Sequence, residues 1–163
     1  MDAITELIDN HRHYSKLMSN FEQDYANLKN GDYYSLLRMK KALYTLKLDM
    51  EVHFAREEYA LFSNVEHPVI HTLATEHTLL REKFGDMDIS IVAMEGEELR
   101  KEKDKINALR GVIDSFRNLK ASHINKEETI LFPYLQKNIT ARELVFIQYK
   151  LEEFDNIVAV NLW

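Results

Sequence analysis

His53-Phe54-Ala55-Arg56-Glu57-Glu58-Tyr59-Ala60-Leu61-Phe62 and His123-Ile124-Asn125-Lys126-Glu127-Glu128-Thr129-Ile130-Leu131-Phe132 are two versions of one passage. Each contains His-x-x-x-Glu. On a helix, positions four apart lie on the same face with about 5 to 6 Å between them, so each passage offers an imidazole and a carboxylate side by side.

Outward from these passages, apolar residues recur at alternating steps of three and four. The first stripe is Ile4, Leu7, His11, Tyr14, Met18, Phe21, Tyr25 and Leu28. After a turn at Asn30-Gly31-Asp32, the second runs Leu36, Met39, Leu43, Leu46, Met50, His53, Glu57 and Ala60, stopping near Ser63-Asn64. Pro68 opens a shorter third helix with Ile70, Leu73, His77, Leu80 and Phe84, and Gly85 is expected to cap it. Residues 86–96 then form the longest connection, with Ile89, Ile91 and Val92 able to fold back on the bundle. A fourth helix is expected from near Glu97, with the stripe Leu109, Ile113, Phe116, Lys120, His123, Glu127, Ile130 and Tyr134. Lys120 is its misfit, with Leu119 beside it as cover. Beyond Asn138, Thr140 can cap a short helix carrying Leu144, Ile147, Leu151 and Phe154, followed by an apolar tail ending in Trp163.

These elements predict an all-α, up-down-up-down four-helix bundle over residues 1–137, with residues 138–163 as a helical extension packed on it. A homodimer contact or a protein partner is the alternative use of that extension. The sparse punctuation agrees: four glycines and two prolines, widely spaced, favour long helices and leave no glycine-rich phosphate loop.

Composition removes whole classes of function. There is no cysteine, hence no disulfide, thiolate site or cysteine nucleophile, and any metal must be held by nitrogen and oxygen. The formal charge of −6, with no basic cluster against it, disfavours nucleic acid. The longest apolar run, Ile89 to Met94, falls far short of the roughly 20 residues that span a bilayer. No basic-then-apolar signal segment opens the chain, and a cytoplasmic protein without membrane contact is expected.

Four histidines and two glutamates (His11, His53, Glu57, His77, His123 and Glu127) stand on inward stripes where Leu or Ile would be expected. Counted along antiparallel helices, all four imidazoles fall about 15 Å from the same end of the bundle. Two unpaired carboxylates at that level would cost several kcal/mol, so a cationic group should compensate them. The duplication extends to His11 and His77, which hold equivalent places on the preceding helices, so each half brings two histidines and one glutamate. Two half-sites suggest two metals, bridged by both glutamates and by an oxo or hydroxo group. Nitrogen and carboxylate ligands with open positions suit iron, with zinc and manganese as alternatives.

The order H…HxxxE…H…HxxxE, with Glu-Glu-x-x-Leu-Phe-Pro after His123, resembles the hemerythrin-like HHE cation-binding domain family over roughly residues 3–137. The resemblance implies a non-haem di-iron centre that binds or reacts with O2, NO or peroxide, or that stores and donates iron. Oxygen-carrying hemerythrins have a fifth histidine one turn before the third-helix ligand, where this chain has Leu73. The four-histidine pattern is similar to the di-iron proteins that repair iron centres under stress, although the cysteine-containing N-terminal segment that many of them carry is absent here. An iron- or oxygen-responsive sensor acting through the C-terminal helix is the second reading. Ferritin-like oxidases use Glu-x-x-His pairs, and no histidine here has an acid three positions earlier.

His13, His67 and His71 sit off the stripes and are read as structural. Tyr14 and Tyr134 could reach an iron-bound ligand, but packing is the simpler role. Glu58 and Glu128, one residue past the proposed ligands, could bond an imidazole N–H or stay solvated.

Overall fold

The computed structural model describes residues 3–95 and 103–161. The described residues form α1 (Ala3–Lys29), α2 (Tyr34–Glu57), α3 (Pro68–Val92), α4 (Lys103–Lys126), α5 (Phe132–Asn138) and α6 (Ala141–Asn161). Two π-helical turns, Glu58–Phe62 and Glu127–Leu131, continue α2 and α4. This is the all-α helical bundle expected from the stripes.

Side-chain pairs set the directions of the helices. Arg56 reaches Glu6 and Arg38 reaches Asp24, so α2 runs against α1. Arg81 with Glu51 and Lys47 with Asp88 orient α3 against α2. His123 with Glu76 and Phe116 with Phe84 orient α4 against α3, and Arg117 with Glu22 and the Ile106 carbonyl with Tyr25 orient α4 against α1. The first hairpin is closed by Gly31 at φ +93°, with Gly31 N–H donating to the Leu28 carbonyl and Asp32 N–H to that of Asn27. This paired arrangement satisfies the last carbonyls of α1 and needs the left-handed conformation that glycine adopts without strain.

Every residue of the expected α1 stripe is buried, as are the α2 residues from Leu36 to Glu57. The core is divided in two. One cluster contains Tyr14, Met50, Phe54, Leu80, Phe84 and Phe116, and the other contains Leu7, Leu61, Leu73, Leu131, Phe132, Ile147 and Leu151. On α1 and α3 the boundary falls at a histidine: His11 between Leu7 and Tyr14, and His77 between Leu73 and Leu80.

Three expectations are corrected, while the misfit Lys120 keeps its inward place. Gly85 does not end α3, which continues to Val92. A glycine inside a helix costs about 1 kcal/mol relative to alanine, whereas burying Met87 and Ile91 beyond it returns about 1.5 to 3 kcal/mol each. The segment expected as a long connection is therefore largely helix; the expected start near Glu97 lies outside the described residues. On α4 the stripe slips after Glu127: Leu131 and Leu135 are buried, while Ile130 is 43% exposed and Tyr134 only half-buried. The wider π turn moves the inward position along the chain. Lys120 is buried, beside a groove between α1 and α4 shared with Ser19 and Glu22, and burial pulls its ammonium pKa down. Finally, α6 is not short: it spans 21 residues. Trp163 lies outside the described residues.

Thr140 caps α6 reciprocally, its hydroxyl accepting from Glu143 N–H while the Glu143 carboxylate accepts from Thr140 N–H. Helix α6 buries Ile147 and Leu151 and is fixed to the end of α2 by Arg56 with Asp155 and by Tyr59 donating to Glu153. No described helix is long and apolar enough to cross a membrane.

A Cβ built at Gly85 meets nothing within 4 Å. Gly85→Ala is therefore expected to stabilise the protein by about 0.5 to 1 kcal/mol in urea denaturation, and a loss of stability would contradict a continuous α3.

Candidate metal centre

Between the two apolar clusters lies a buried polar layer made of His11, His53, Glu57, His77, His123 and Glu127, each at most 3% exposed. All six expected site residues meet there. Their ligand-capable atoms form two groups, His11, His53, Glu57 and Glu127, and Glu57, His77, His123 and Glu127, with the atoms of each group within 4.8 Å of one another. The two glutamates are common to both groups. That follows from the helical spacing, since each His-x-x-x-Glu lays its carboxylate one turn along from its imidazole.

The polar atoms face inward and lack ordinary partners. Neither oxygen of Glu57 or Glu127 has a hydrogen bond, and neither does His11 Nε2 or either nitrogen of His53. Several contacts are close without being aligned as hydrogen bonds: His11 Nε2 to Glu127 at 3.1 Å, His123 Nε2 to Glu127 at 3.1 Å, and His77 Nε2 to Glu57 at 3.4 Å. His77 Nε2 and His123 Nε2 face one another at 3.2 Å, so at least one must be protonated or both must point their lone pairs at something positive. Buried polar groups in folded proteins are normally satisfied, and a convergent set of unsatisfied acceptors fits a divalent cation.

The outer nitrogens are handled differently. His77 Nδ1 lies 2.8 Å from Glu58, and His11 Nδ1 lies 2.9 Å from Glu128. These carboxylates come from the residue after each shared glutamate, where the backbone enters the π turn. Arg81 holds Glu58 from the far side, at 2.9 Å. His123 Nδ1 lies 3.2 Å from Glu76, which Lys126 holds at 2.7 Å. Such carboxylate–imidazole contacts fix the tautomer and leave Nε2 to face inward. The bonds of Glu58 and Glu128 are the role proposed from their positions in the sequence; Glu76 is a further one. Its only sequence signal is that it precedes His77.

Charge states follow from these contacts. Burial lowers the pKa of His123, but the nearby charges of Glu127, Glu57 and Glu76 outweigh it and push it up to about 9. His11 is raised in the same sense, by Glu127 against burial. Burial raises Glu127, yet His123 and His11 win and bring it to about 2. His53 has burial and no hydrogen bond, and falls to about 3. Without metal, the buried carboxylates thus bias His11 and His123 toward their protonated forms, and those imidazoles hold Glu127 toward its ionised form.

Aromatic rings wall the layer. Phe54 and Phe62 stack on His77 with centroids at 4.1 and 5.1 Å, and Phe132 stacks on His11 at 6.0 Å. Tyr14 turns its ring edge to His53 at 5.2 Å and donates its hydroxyl to the Asp49 carbonyl, so it packs. Tyr134 sits against the His67 ring at 4.5 Å, and its hydroxyl lies near the Glu66 carbonyl. His67 caps α3 by accepting Val69 N–H, and His13 contacts Asp49 at the surface.

The π turns belong to this geometry. Phe132 N–H donates to the Glu127 carbonyl, the bond that defines the second one. At the first, Ser63 and Asn64 side chains take the freed carbonyls of Glu58, Tyr59 and Ala60. Single π turns inside α-helices often mark functional sites.

The family model for the hemerythrin HHE cation binding domain matches residues 2–135. No curated protein matches the chain.

Glu57 contributes two buried oxygens without hydrogen bonds. Glu57→Gln is expected to leave the metal-free protein at least as stable as the parent in thermal unfolding, while shrinking the increase in Tm that added metal produces. A metal-free variant clearly less stable than the parent would mean that Glu57 is a structural ion-pair partner.

Proposed function

The chain belongs to the hemerythrin HHE cation-binding domain family, and from that premise we propose that His11, His53, Glu57, His77, His123 and Glu127 hold two non-haem iron ions. The pair would bind or react with O2, NO or peroxide, in stress defence or repair of iron centres. The observation that carries this reading is that two ligand groups share Glu57 and Glu127. One shared carboxylate could be chance; two, in a chain duplicated about the same residues, favour a bridged pair.

When bound, an iron pair supplies one-electron redox chemistry toward small oxidants and diatomic ligands. The chain's own residues set the conditions for it. Glu57 and Glu127 bring negative charge that offsets the metal charge in either oxidation state. His11 and His77 are oriented by Glu128 and Glu58, so their inward nitrogens are free to ligate. Leu73, one turn before His77, is fully buried where oxygen carriers place another histidine. With no imidazole at that position, the six residues would supply fewer ligands to a bound pair, which would favour access by an incoming molecule. Phe54, Phe62 and Phe132 exclude water and favour a small, weakly polar reactant.

One feature favours a second reading, an iron- or oxygen-responsive module reporting through α6. Arg56, between His53 and Glu57, pairs with Asp155, and Tyr59 bonds Glu153. A shift in α2 on ligand binding would pull on α6. Metal-dependent hydrogen exchange confined to α6 would support this role.

Elemental analysis of anaerobically purified protein is expected to find about two irons per chain, both reduced in His77→Ala, with the ferrous protein reacting with NO and O2 in optical titrations. Zinc alone, or no metal after iron-replete expression, would overturn the redox reading.

A further inference from the structure

The two halves of the centre match closely. Glu58 bonds His77 as Glu128 bonds His11, and Phe62 stacks on His77 as Phe132 stacks on His11. Each pair occupies equivalent positions in the repeated passages.

The match fails in what surrounds the second imidazole of each half. His123 Nδ1 contacts Glu76, the residue before His77. The equivalent of Glu76, the residue before His11, is Asn10. His53, the counterpart of His123, has no hydrogen bond at Nδ1. Its surroundings offer Tyr14 and Phe54 rings at 5.2 and 6.2 Å, and the Tyr14 hydroxyl is committed to the Asp49 carbonyl. The cation of the pair is displaced as well. Lys126 holds Glu76, whereas its counterpart Arg56 turns to Glu6 and to Asp155 of α6. Where one half has a Lys–Glu–His chain, the other has a solitary imidazole.

Resting on the two-metal reading above, we propose that the half-sites hold their metals unequally: His77 with His123 form the tight, resident site, and His11 with His53 the weaker, exchangeable one. A neutral imidazole that ligates through Nε2 must carry its proton on Nδ1. For His123 that proton has Glu76 to accept it, which also makes the ring a better donor to the metal. For His53 it has no acceptor. Losing such a partner typically costs 10- to 100-fold in metal affinity. Since Glu57 and Glu127 serve both halves, the difference lies in the imidazoles and in what holds them.

The test is titration of the metal-free full chain with zinc, as a diamagnetic probe, followed by the ring-nitrogen NMR signals of the four ligand histidines and by total zinc uptake. The first equivalent is expected to shift the signals of His77 and His123. Those of His11 and His53 should follow at roughly 10- to 100-fold higher free zinc. Asn10→Glu should narrow that gap by supplying the missing acceptor, and the Asn10→Glu, Glu76→Asn double variant should reverse the order. If a variant at position 10 fails to fold, Glu76→Gln alone should weaken the first step toward the second. Two zincs filling together, the His11–His53 half filling first, or a gap unchanged by Glu76→Gln would overturn the inequality and leave the two-metal centre standing. Uptake of fewer than two zincs would instead remove the centre on which it rests.

Discussion

The structure is organised around the burial of two carboxylates. Glu57 and Glu127 are fully enclosed at the middle of a helical bundle, with no hydrogen bond to any of their oxygens. Desolvating an ionised carboxylate costs several kcal/mol even after relaxation, against a total stability of about 5 to 15 kcal/mol for a whole domain. The apolar clusters on either side must carry the fold across this layer, and the layer must attract positive charge. In the metal-free protein the carboxylates shift His11 and His123 toward binding protons. A metal would replace those protons, which couples its binding to proton release.

Much of the surrounding detail serves that layer. The π turns begin just after Glu57 and at Glu127, and the next residues, Glu58 and Glu128, reach imidazoles on neighbouring helices. Aromatic rings at the ends of the repeated passages close the layer from one side. Helix α6 then locks the end of α2 through Arg56 and Tyr59. Arg56 is thereby paired with Glu6 and Asp155, whereas its counterpart Lys126 holds Glu76 inside the centre.

The main apolar stripes and the ligand set were legible because they depend on one-dimensional spacing. Residues three or four apart share a face whatever the rest of the fold does, so the inward placement of His11, His53, Glu57, His77, His123 and Glu127 could be read off directly. What was misread involved competition between terms. Gly85 is a weak helix breaker whose local cost is smaller than the gain from burying Met87 and Ile91. Ile130 and Tyr134 were placed inward by an α-helical count that the π turn interrupts. Lys120 looked like an error in the stripe, yet a long side chain can bury its stem and keep its amine at a groove.

Sequence by itself determined the helical class, the absence of sulfur ligands, the duplicated His-x-x-x-Glu passages and the level at which four imidazoles meet. Those follow from composition and helix geometry, which are local. Only the tertiary structure decided which carboxylate serves which imidazole, that Glu76 supports His123, and that His53 Nδ1 is left without a hydrogen bond. Such pairings join residues from different helices at 3 Å, and their geometry depends on helix rotation and on the extra residue of each π turn, neither of which is encoded in the spacing of any one segment.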